Sequence, residues 1–109
     1  MDAKEKMIAK YRLALGLSRI IEENKKSGNV ELVSSLRKLA ASSGLEYAIV
    51  QRISSGKKDP QYTTLLSLSE GLGMPLHQFL QGIEKIYDET VTAHIGEIEK
   101  AKKSVKRKK

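Results

Sequence analysis

Cysteine is absent from the chain, which excludes a disulfide framework and a thiolate metal site. Histidine is scarce: His77 and His94 stand 17 positions apart with no neighbouring ligand pattern, so no metal and no other cofactor is expected. No apolar run approaches the roughly 18 residues that a membrane helix needs. The opening MDAKEK leads into no apolar core of the kind a secretory signal carries. A cytoplasmic protein with no membrane contact is the expectation. Catalytic constellations are missing as well, with no nucleophile–base pair and no paired carboxylates at a recognisable spacing. The one basic glycine turn, SSGKKDP, lacks the GxxxxGK[ST] spacing of a phosphate loop. The chain is not expected to be an enzyme.

Acid is missing from one place in particular. The chain carries 20 basic and 13 acidic residues, but Lys100–Lys109 holds 7 of the bases and none of the acids. The other 99 residues contain 13 charges of each sign and balance. A high pI often marks a nucleic-acid binder; here it comes from a tail, so the body has to be judged by where its charges fall.

What is present is helical periodicity, without a strand signal or an internal repeat. Residues 3–26 favour a helix that Asp2 can cap. Ile8, Tyr11 and Leu15 form one apolar set, Leu17, Ile20 and Ile21 another, and Gly16 between them predicts a break or a weak point. Leu32, Val33, Leu36, Leu39 and Ala40 predict a second helix, with Asn29, Ser34 and Ser35 all standing as caps and Gly44 as its left-handed end. A third spans 46–54 and a fourth 61–71. A fifth starts at Pro75, with proline in the first helical position and Leu76, Phe79 and Leu80 facing inward. Beyond Ile83, Tyr87, Val91, Ile95 and Ile98 form a stripe that one helix cannot bury alone. It either folds back on the first helix or pairs with a second copy. The organisation expected is an N-terminal helical extension (1–16), a central domain (17–82), an amphipathic helix (83–99) and a disordered basic tail (100–109), all-α throughout.

The third helix raises the functional question. Leu45, Val50 and Ile53 anchor one side of it, leaving Glu46, Tyr47, Ala48, Gln51 and Arg52 outside. A helix that enters the major groove must bury one face on the protein and offer the other to base edges. Gln51 has the chemistry for a bidentate contact with adenine, Arg52 for guanine or a phosphate, and Ala48 or the Tyr47 ring for a thymine methyl.

The ordered set Leu39-Ala40, Gly44-Leu45, Val50, Ile53, Gly56, Pro60, Thr64-Leu65, Leu68 and Leu72-Gly73, with its spacings, resembles the phage-repressor-like (Xre-type) helix-turn-helix family over Leu36–Leu80. The resemblance implies a five-helix DNA-binding domain, here with extra helical segments at both ends. It implies a third helix in the major groove of double-stranded DNA, with base contacts from Glu46, Tyr47, Ala48, Gln51 and Arg52. It also implies phosphate contacts from Ser35, Arg37, Lys38, Lys57, Lys58, Gln61, Tyr62 and Thr63, the last three at a helix start that suits an anion. This chain has Leu36 where the family often has glutamine, Ser54 where it often has glutamate, and Glu46 where the cap is usually serine or threonine. The implied function is a sequence-specific, homodimeric, nucleoid-associated transcriptional regulator, in particular a repressor. The alternative is an antitoxin-type module that uses its terminal helices to hold a protein partner.

Overall fold

Asp2 starts the first helix as expected. Its carboxylate accepts the Glu5 N–H at 2.8 Å, and the Glu5 side chain answers at the Asp2 N–H. That backbone hydrogen bond holds the Asp2 carboxyl below its ordinary pKa. In the computed structural model, which describes residues 1–107 and the side chains of residues 1–103, helix α1 then runs unbroken from Ala3 to Ser27. At about 1.5 Å per residue it is roughly 37 Å long, close to the 41 Å longest dimension of the molecule.

The described residues contain six helices and no strand: α1, α2 (Leu36–Ser43), α3 (Tyr47–Ser54), α4 (Tyr62–Gly71), α5 (Leu76–Glu84) and α6 (Asp88–Arg107). The all-α expectation holds. No described helix is long and apolar enough to cross a membrane.

Helix α1 is apolar on two sides. At about 100° per residue, Leu13, Leu17, Ile20 and Ile21 share one side and Ile8, Tyr11 and Leu15 the opposite one. The first set closes the main core with Leu39 of α2, Val50 and Ile53 of α3, Leu68 and Leu72 of α4 and its end, and Phe79 and Ile83 of α5. Full burial of side chains such as Leu17 and Phe79 contributes about 1.5–3 kcal/mol each. The second set receives Ile86, Val91 and Ile95. Arg12 pins this junction: its Nε donates to the Ile86 carbonyl at 3.0 Å, and its guanidinium pairs with the Asp88 carboxylate.

Three expectations need correction. The break at Gly16 is not there, since α1 runs through it. A Cβ on Gly16 would lie 2.6 Å from Ile83 Cγ1, so the glycine lets α1 and α5 approach closely. The start of the second helix, open among Asn29, Ser34 and Ser35, falls at Leu36 behind the Ser35 cap, where the Val33 carbonyl is taken by Asn24 Nδ2 at 2.8 Å. Pro75 caps α5 with extended backbone instead of occupying its first turn. The basic tail, expected to be disordered from 100, is helical as far as Arg107, where α6 ends; residues 108–109 lie outside the described part. As for the stripe, Val91 and Ile95 are buried against α1, Ile98 is half-buried, and Tyr87, 76% exposed, precedes the helix. It is a packing stripe within one chain, which takes Val91 and Ile95 away from a dimer contact.

Gly16→Ala sets two terms against each other. Alanine gains about 1 kcal/mol of helix propensity, while overpacking against a β-branched side chain costs about 1–3 kcal/mol. The expected outcome is a lower urea midpoint with an unchanged slope. A raised midpoint would mean that α1 and α5 can part at no cost.

Candidate nucleic-acid interface

Helix α3 owes its short length to its two ends. It starts at Tyr47, with Glu46 in extended backbone and no side-chain cap; the Glu46 carbonyl takes the Ile49 and Val50 N–H groups. It stops at Ser55 because Gly56 turns left-handed at φ 75°. The Gly56 N–H donates to Ile53 O and the Lys57 N–H to Arg52 O, the paired bonds of a Schellman ending. A Cβ on Gly56 would also strike the Tyr11 ring at 2.7 Å. Glycine is required there twice, for its φ and for the close approach of α1.

Between those ends Val50 and Ile53 are fully buried, and Leu45 and Ile49 pack against the same core. Ala48, Gln51 and Arg52 are exposed. At about 100° per residue these three lie within roughly 100° of one another, opposite Val50 and Ile53. Glu46 is exposed beside the helix start. Tyr47 differs: it is half-buried on the flank, and the Arg37 guanidinium of α2 lies 4.4 Å from its ring centroid. Such a contact contributes about 0.5–1 kcal/mol at an exposed site. It places a residue expected at phosphate against one expected at a base, at the junction of α2 and α3.

The remaining expected phosphate residues fall into three groups. At the start of α2, Ser35 Oγ caps the helix by accepting the Lys38 N–H at 3.1 Å, and Lys38 Nζ donates to Ser34 Oγ at 3.2 Å. This settles which of the three serine and asparagine candidates is the cap. No acid lies in the first turn of α2, which instead holds the exposed Arg37 and Lys38. Past α3, Lys57 is exposed and Lys58 half-buried. At the start of α4, Gln61, Tyr62 and Thr63 are all exposed, the N-cap Gln61 makes no side-chain capping bond, and no acid lies in the first turn. The first N–H groups of α4 are thus available to an outside acceptor.

Two cations escaped the sequence reading. Lys6 and Lys10 of α1 line a shallow groove with Met1, Ala9 and Asp59, which brings them beside the turn that carries Lys57 and Lys58. They are some fifty positions away in the chain, and only the docking of Tyr11 over Gly56 brings them together. Among the described residues no group of three or more His, Cys, Asp or Glu side chains is arranged to hold a metal ion.

The two helix starts respond differently to substitution. Ser35→Ala removes a working cap and is expected to destabilise by about 0.5–2 kcal/mol. Glu46→Ser offers α3 a capping oxygen it now lacks and is expected to stabilise by up to about 1 kcal/mol. Thermal unfolding of both variants checks the contrast, and equal shifts would contradict it. No family model matches the chain, and no curated protein and no solved structure matches it either.

Proposed function

We propose that the chain is a sequence-specific DNA-binding regulator in which α2 and α3 act as a helix-turn-helix unit of the repressor-like kind. The observation that carries this reading is the open Ala48–Gln51–Arg52 face of α3, backed by the buried Val50 and Ile53. In this reading α3 lies in the major groove, Gln51 pairs with an adenine edge, Arg52 with a guanine or a phosphate, and Ala48 meets a thymine methyl. Tyr47, steadied by Arg37, touches the groove wall. Lys57, Lys58 and the free amides at Tyr62 and Thr63 hold the backbone of one strand, and Arg37 and Lys38 the other. Between Ser34 and Thr63 five Lys or Arg residues stand against Glu46 and Asp59, so an electrically balanced body still presents a basic patch. Lys102, exposed on α6, and the basic residues that follow Ser104 in the sequence add affinity that does not depend on sequence.

Acting as a homodimer, the protein reads two half-sites about one helical turn apart and represses by occluding a promoter. Binding does the work, without catalysis, in the cytoplasm at the nucleoid. The antitoxin-type alternative drew on apolar stripes at both ends of the chain. Ile8, Tyr11 and Leu15 cover Val91 and Ile95, so that feature does not favour it.

In vitro selection from random duplex DNA tests the reading, with enrichment of one two-fold symmetric site as the expected result. Recovery of nothing above bulk sequence would end it. At the selected site, Gln51→Ala and Arg52→Ala are each expected to lose about 1–3 kcal/mol of discrimination at one base pair, with helix content unchanged. Lys57→Gln is expected to weaken all sequences evenly and to reduce the salt slope by about one. Normal discrimination by both α3 variants would move the reading surface elsewhere.

A further inference from the structure

Helix α6 covers α1 with one side and leaves the other bare. Val91 and Ile95 are buried. At about 100° per residue the opposite side carries Glu89, Ala93, Gly96, Lys100 and Lys103. Four of these are exposed and Gly96 is half-buried. A Cβ on Gly96 would meet nothing within 4 Å, so no approach inside the chain calls for glycine there, where it costs about 1 kcal/mol relative to alanine.

The charges of α6 are sorted along its length. Residues 88–99 contain Asp88, Glu89, Glu97 and Glu99 and no lysine or arginine; residues 100–107 contain Lys100, Lys102, Lys103, Lys106 and Arg107 and no acid. A parallel pair of such helices sets like charges together. An antiparallel pair crossed at Gly96 sets residues 88–92 of each copy against residues 100–104 of the other, with Glu97 and Glu99 near the crossing, and the helix dipoles also oppose.

We propose that the outward face of α6 is the contact between two copies of this chain, with the helices antiparallel across a two-fold axis at Gly96. Glu89 lies seven residues before that axis and Lys103 seven after it. Each Glu89 therefore opposes Lys103 of the partner subunit, twice by symmetry. Ala93 and Gly96 let the helix axes come close at the centre. The contact lies on the far side of α6 from α1, so it leaves both cores intact. It supplies the dimer surface that the proposed two-half-site binding needs, and in that sense rests on that reading, but its test requires no DNA.

Sedimentation of the full chain over a concentration series, without DNA, measures the association. The expected result is a dimer weakened by salt. Glu89→Lys and Lys103→Glu each weaken it by about tenfold, and the two together restore it. Gly96→Leu abolishes the dimer while circular dichroism shows the helices intact. A chain that stays monomeric to millimolar concentration overturns the proposal. So do charge reversals without effect, or a double swap that fails to rescue. A dimer that selects no DNA sequence leaves this inference standing and removes the regulator reading. A monomer that selects a single half-site does the reverse.

Discussion

The structure depends on one helix being apolar on two opposite sides. Leu13 and Leu17 of α1 meet the core built by α2 to α5, while Ile8, Tyr11 and Leu15 meet the hydrophobic edge of α6. Neither neighbour can bury its stripe without α1 between them, and α1 itself would be marginal alone, since helical stability in proteins comes mainly from packing. Gly16 is where the requirement is tightest. Only a residue without a Cβ lets α1 settle on Ile83, and the helix accepts the propensity cost in return for that approach.

The same helix positions the candidate interface. Val50 and Ile53 hold α3 from behind, and Gly56, at its exit, is closed by the Tyr11 ring. Tyr11 in turn meets His94 of α6 edge-on, with ring centroids 6.5 Å apart. The turn after α3, α1 and α6 are therefore in one continuous packed sequence. On the other side the Arg37–Tyr47 contact joins α2 to the start of α3, and Ser42 Oγ ties α2 to α4 through the Gly71 carbonyl at 2.9 Å. The exposed face of α3 is held by neighbours at both ends and along its back, which suits a surface that must keep its shape when it meets a ligand.

Much of this was legible in the chain. Helix positions follow from periodicity and from end signals that act within a turn: Asp2 with Glu5, the left-handed Gly44 and Gly56, and the Gln61 to Gly71 span of α4. The exposed set Ala48, Gln51 and Arg52 follows from the same rule, because a helix with Val50 and Ile53 inside has its opposite face outside. What was not legible shares a cause. The start of α2 stays open among Asn29, Ser34 and Ser35 in the sequence because Asn24, which takes the Val33 carbonyl, acts from nine positions back. Gly16 reads locally as a break or a weak point because its partner, Ile83, is far away in sequence.

Local rules thus determined that the chain is all-helical, where most helices stop, and which side of α3 is polar, since each rests on residues within about one turn of each other. Tertiary structure alone decided that the α6 stripe closes on α1, that Lys6 and Lys10 stand beside the Lys57–Lys58 turn, and that Arg37 covers Tyr47. An apolar stripe or a charged side chain states what it needs. Which surface meets the need depends on long-range packing, where a single absent Cβ, as at Gly16 or Gly56, sets how closely two elements approach.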